Sequence, residues 1–259
     1  MTVKSHLTIL LILIMKNSKL LFFLPLILLS CCKHDLIPEP VPNNPLNGKT
    51  TAIFNPSKKY GTVIDIDGNA YKTIVIGTQT WMAENLRVTR YSNGDSVPNV
   101  TDTAKWLHLF DGAYCNYNNT SSLDTIATYG RLYNWYAATD SRNIAPKGWR
   151  VANAEDWLIL FDYLGGDTIA SNKLKEIGSY HWLDAFHSDN NSGFTALPGG
   201  ILDNANPYNY MGVIGAYWVA SDYDNKNAPF FYLSFSDTKI WKGFNYKNNG
   251  YSLRCIKNK

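Results

Sequence analysis

The apolar and polar positions of this chain divide it into three regimes. Residues 20–29 form an apolar run that follows Lys16 and Lys19 and stops at Leu29-Ser30-Cys31. A charged start, a short apolar middle and a small residue before a cut define an export signal, and a Cys just after the cut supplies the thiol that lipid attachment needs. As a helix the run spans roughly 15 Å against a hydrocarbon core of about 30 Å, so residues 1–30 read as a lipoprotein signal and not as a membrane span. Residues 15–19 are themselves a well-formed opening, which places the expected start at Met15. Cys31 is the expected lipidation site, because Cys32 would have Cys31 and not the small Ser30 before its cut.

The second regime, residues 31–58, carries Pro38, Pro40, Pro42, Pro45 and Pro56 among few apolar residues. Such a segment predicts an extended, poorly ordered tether. The third regime, residues 59–258, has the length of one domain. Two β-rich runs, 62–65 and 71–76, flank Asp67-Gly68-Asn69 and predict a hairpin. Asp65, Asp67 and Asn69 also have the opening spacing of a calcium loop, but the later acidic ligand is missing, so the turn is the expected structure. Residues 131–138 place Leu132, Trp135 and Tyr136 on one side of a predicted helix. Asn153 caps a second, in which Trp157, Leu160, Phe161 and Leu164 recur at three- and four-residue steps before Gly165-Gly166 ends it. Beyond Ser192 the texture is β, with short strands predicted at 217–220, 230–235, 239–244 and 251–256. Together these predict a single, loop-rich α+β domain.

Charge and composition narrow the function classes. The formal net charge of +3 disappears with Lys4, Lys16 and Lys19 on processing, so the mature chain is near neutral and presents no basic field for nucleic acid. No His-x-x-x-His pair, phosphate cradle or nucleophile elbow appears, and no metal, cofactor or catalytic residue is assigned from sequence. The pair Glu155-Asp156 already serves a helix start.

A resemblance adds to this reading. The blocks Asp65-Ile66-Asp67-Gly68-Asn69, residues 76–86 (IGTQTWMAENL) and residues 129–138 (YGRLYNWYAA) occur in order, followed by Pro146-Lys147-Gly148-Trp149-Arg150-Val151, residues 193–200 (GFTALPGG) and Ser252-Leu253-Arg254-Cys255. In order and spacing the chain resembles the Fibrobacter succinogenes major paralogous domain family. The resemblance implies an exported or surface lipoprotein with a C-type-lectin-like, formylglycine-generating-enzyme-like mixed fold of a few helices and several short antiparallel strands. It implies little about activity. Relatives often carry Cys where this chain has Ala145, which puts an inherited disulfide pattern in doubt.

Two cysteines remain in the domain. Export places Cys115 and Cys255 in an oxidising compartment, where they either pair, closing a loop of about 140 residues for up to about 5 kcal/mol, or stay buried as free thiols. Aromatic rings beside amides and carboxylates suit sugars or peptide chains, and the candidate ligand residues are Tyr208, Tyr210, Asp222, Tyr223, Trp241, Asn245 and Tyr246. Ser96, Thr103, Thr125 and Thr168 follow Asp and precede an apolar residue, a pattern resembling bacterial O-glycosylation acceptors and equally a turn pattern. The expected protein is anchored through Cys31 to the bacterial envelope, at the outer membrane and its surface. It is a non-catalytic binding module for glycan or protein, with a hydrolase or modifying enzyme, or a structural envelope component, as the alternatives.

Overall fold

The computed structural model describes residues 43–184, 188–203 and 207–259. The expected signal and Cys31 lie outside the described residues. The hairpin forms as its turn chemistry dictates: β1 (Gly61–Ile64) pairs antiparallel with β2 (Ala70–Ile76). The Asp65 carboxylate between them accepts from the Asp67 and Asn69 backbone amides, from Asn69 Nδ2 and from the Tyr71 hydroxyl at 2.6 Å. Burial raises this carboxyl above its ordinary range, although the Tyr71 and Asn69 donors pull it down. Asp67 is spent on Thr89 and Arg90.

β3 (Gln79–Met82) continues the sheet. Then follow α1 (Thr103–Trp106), β4 (Tyr114–Cys115), α2 (Leu123–Tyr129), β5 (Leu132–Tyr133), α3 (Trp135–Thr139) and β6 (Trp149–Val151). The helix expected over 131–138 is thereby corrected. Gly130, at φ +75° with no room for a Cβ against Asn85 and Leu86, stops α2. Leu132 and Tyr133 extend to pair with Cys115 and Tyr114, and the Asn134 side chain caps a helix that begins only at Trp135. Tertiary strand pairing outweighs the local helical periodicity there.

The predicted capped helix is α4 (Ala154–Tyr163), and it carries a full capping box: Asn153 accepts from the Asp156 amide while Asp156 accepts from the Asn153 amide. Gly165 and Gly166, both at positive φ, end it and open α5 (Asp167–Leu174). The chain closes with β7 (Gly199–Ile201), β8 (Asn209–Met211), β9 (Ile214–Trp218), β10 (Asn227–Ser234), β11 (Trp241–Tyr246) and β12 (Cys255–Lys257).

Two five-stranded sheets result, in the orders β1-β2-β3-β12-β6 and β11-β10-β9-β7-β8. The α+β expectation holds. Trp157 and Phe161 of α4 fill one core between the sheets with Trp81, Phe194, Tyr217 and Phe231, and Trp157 sits 4.5 Å from Trp81 and 4.3 Å from Phe231 between ring centroids. A second core gathers Tyr71, Tyr133, Trp218, Tyr251 and Leu253.

The expected spacer over 31–58 requires correction for its described part. Residues 43–59 form a strap laid against the domain, held mainly by polar contacts. Asn44 bonds Asn69 and the Asp67 carbonyl, Asn47 bonds the Gly68 carbonyl and the Ala70 amide, and Asn55 bonds the Asn190 carbonyl. Leu46 adds an apolar peg against Ile126 and Ala127. Asn side chains read as turn or linker residues in sequence become docking groups once they have backbone partners.

Candidate functional site

The site is built at the β11 edge of the second sheet. β10 and β11 pair Tyr232 with Trp241, Phe230 with Gly243 and Ala228 with Asn245. Val219 N–H donates to the Pro229 carbonyl, so Pro229, Phe231 and Leu233 turn their backbone groups to β9, while Ala228, Phe230 and Tyr232 bond β11. Along β11 the bonded residues are therefore Trp241, Gly243 and Asn245. Lys242 and Phe244 point their N–H and C=O groups away from the sheet, where no described strand meets them.

The two faces of this edge differ. Toward α4, Pro229, Phe231 and Phe244 join Leu158 and Phe161 in an almost wholly apolar groove of about 380 Å³. Lys242 covers one end, its Nζ 5.1 Å from the Phe161 ring and 2.8 Å from Asp167. Tyr223 stacks on Phe244 at 3.6 Å between centroids. Trp157 also lines the groove, and its buried indole N–H has no hydrogen-bond partner. On the opposite face Phe230, Tyr232 and Trp241 form a row of near-parallel rings, 6.2 Å apart at each step. Burial raises the Tyr232 hydroxyl. Trp241 is 40 %, Phe244 54 %, Tyr246 49 % and Tyr223 57 % exposed, so four large aromatics crowd one edge in contact with solvent. Such a concentration differs from the singly scattered surface apolar residues that need no explanation.

The polar side chains nearby are already engaged. Lys247 donates to Asp222 at 2.7 Å and holds that carboxyl below its usual range. Asn245 bonds the Tyr251 hydroxyl and the Tyr246 amide, and Trp241 Nε1 donates to Asp237.

Of the sequence candidates, the structure brings together Asp222, Tyr223, Trp241, Asn245 and Tyr246. It does not bring Tyr208 and Tyr210 to them. These two belong to β8 and its approach, at the other edge of the same sheet and four strand spacings, roughly 19 Å, away. Tyr208 is half-buried, packed edge-on to Tyr117 and bonded to Asn119. Phe244, Leu158 and Phe161 were missed from sequence, because Phe244 reads as an ordinary strand residue, Phe161 as helix core, and Leu158 falls outside the helix's apolar stripe; the signal was the cluster of aromatics Trp241, Phe244 and Tyr246 on one strand.

The disulfide alternative is also corrected. Cys115 and Cys255 are free, on strands of different sheets and in different apolar clusters. Burial pushes the Cys115 thiol up to about 12 and Cys255 upward too. Among the Asp-Ser/Thr positions, Thr103, Thr125 and Thr168 all fall in first helical turns and only Ser96 lies in a loop; Ser96 and Thr168 are exposed, Thr103 and Thr125 half-buried. Asp102, the cap of α1, accepts from the Ala104 and Lys105 amides, as the local backbone chemistry of the motif requires.

The model of the Fibrobacter succinogenes major domain matches residues 74–257, from within β2 to the end of β12. The chain belongs to this family. Neither a curated protein nor a solved structure matches the chain. The sequence blocks that carried the Fibrobacter major domain resemblance turn out to be internal fasteners. Gln79 bonds the Asp156 carbonyl and Trp81, Glu84 pairs with Arg87 at 3.1 Å, and buried Arg254 donates to Asn85 and to the Met82, Phe194 and Thr195 carbonyls. The exposed aromatics lie between the last two blocks, so within this Fibrobacter major domain the residues that define the family hold the frame and those at the β11 edge face outward.

Proposed function

We propose that this protein is an exported lipoprotein, anchored through Cys31 at the envelope, whose β11 edge acts as a non-catalytic interaction module. Its ligand is an extended polypeptide lying along β11. The observation that carries the reading is the outward pair of backbone donors and acceptors at Lys242 and Phe244, set between an apolar groove and an aromatic row. An added strand satisfies those groups, and its alternate side chains enter the groove on one face and cover the rings on the other. A glycan needs polar partners at the rim, and Asp222, Asn245 and Asp237 are already occupied.

The test is to titrate the protein with ten-residue peptides of alternating apolar and polar residues while recording amide resonances. Shifts confined to β10, β11 and α4, lost in Lys242→Pro, support the reading. Lys242→Pro removes an outward N–H, which an edge strand tolerates, and Lys242→Ala, which removes the same ion pair with Asp167 but keeps the N–H, is the control that retains binding. Binding on a glycan array that Trp241→Ala abolishes, with no peptide response, overturns the peptide assignment and favours a sugar ligand.

A further inference from the structure

A separate constellation lies where the strap crosses the domain, away from the β11 edge. Glu176, just after α5, has no solvent exposure; its carboxylate accepts from the Ile53 amide and lies 2.7 Å from His181 Nδ1. A carboxylate can only accept, so Nδ1 carries a proton, and in the neutral imidazole Nε2 is then the acceptor. His181 Nε2 is 2.9 Å from Thr51 Oγ1, which therefore donates to it. Thr51 itself is exposed, whereas His181 and Glu176 are buried. Thr128 accepts from the Thr51 amide, and its hydroxyl is 3.0 Å from Thr51 Oγ1. The order hydroxyl, imidazole, buried carboxylate is that of an activated nucleophile. Sequence could not show it, since 130 residues separate Thr51 from His181.

We infer that Thr51, His181 and Glu176 form an acyl-transfer site for carboxylic esters with an apolar acyl chain. Ile53, two residues on from Thr51, Ile177, next to Glu176, and Tyr180 are exposed apolar side chains, and the Tyr180 ring lies 4.7 Å from His181. Thr51 Oγ1 attacks the ester carbonyl as its proton passes to His181 Nε2, and Thr128 is the hydroxyl placed beside the new oxyanion. Collapse breaks the bond to the alcohol, which leaves with the proton from Nε2, and Thr51 holds the acyl group. Water, deprotonated by the same Nε2, then releases the carboxylic acid and restores the Thr51 hydroxyl. Glu176 is a positioning residue that fixes the tautomer.

The purified full chain is treated with a fluorophosphonate and mapped by mass spectrometry, and p-nitrophenyl butyrate hydrolysis is followed in parallel. An adduct on Thr51 is expected, with hydrolysis lost in Thr51→Val and kept in Thr51→Ser. Glu176→Gln, which favours the wrong tautomer, is expected to lower kcat about 10⁴-fold at unchanged KM in the fraction that stays folded. No adduct on Thr51 in the unmodified chain, or hydrolysis that Thr51→Val leaves intact, overturns the inference and leaves these residues as fasteners of the strap.

Discussion

Removing the guanidinium of Arg254 strands three carbonyls and the Asn85 side chain in the interior, with no solvent to replace the lost donors. Arg254→Met is therefore expected to lower stability by about 3 kcal/mol or more in urea unfolding, since each stranded buried acceptor costs about 1–3 kcal/mol. Arg254→Lys is not a rescue, because an ammonium lacks the planar fork that reaches these acceptors together. At the same scale, burial keeps both domain thiols protonated. Iodoacetamide at pH 8 is expected to leave Cys115 and Cys255 unmodified in the folded protein, while both take up one group each in urea without reductant, read by peptide mapping. Failure to label in urea until reductant is added would restore the disulfide. The cysteines themselves were visible in sequence, but their partners were not, because pairing depends on Cα separation, which spacing along the chain does not encode.

Among the elements, α4 agreed with its sequence because cap, periodic stripe and glycine stop all act locally. Asn153→Ala is expected to cost about 1 kcal/mol. Asp156→Ala is expected to cost more, since Asp156 also receives both guanidinium nitrogens of Arg150, and a double-mutant cycle in thermal unfolding measures the coupling. The segment at 131–138 shows the opposite case. Its apolar spacing suits a helix, yet Leu132 and Tyr133 are drawn into pairing with β4 and with Tyr251. Strands β9, β10 and β11 were legible within a few residues of their bounds, whereas the order β11-β10-β9-β7-β8 was not. That order is what makes β11 an edge and parts it from Tyr208 and Tyr210.

For the whole molecule, the proposed anchor and the observed strap are consecutive parts of one chain, and each carries its own expectation. Metabolic labelling with an alkynyl fatty acid is expected to mark the protein in its native host, to be lost in Cys31→Ser and to survive in Cys32→Ser; label retained in Cys31→Ser would move or remove the anchor. The hairpin, the capped helix, the α+β class and family membership were set by the sequence itself, because each rests on neighbouring residues or on blocks in linear order. The tertiary structure alone decided three things. It gave the Asn-rich strap its docking partners, it gathered Tyr223, Trp241, Phe244 and Tyr246 beside a groove, and it brought Thr51 to His181 and Glu176. All three are contacts between residues far apart in the chain, and such contacts exist only after burial of Trp157, Trp81, Phe194 and Phe231 has fixed where each sheet and helix lies.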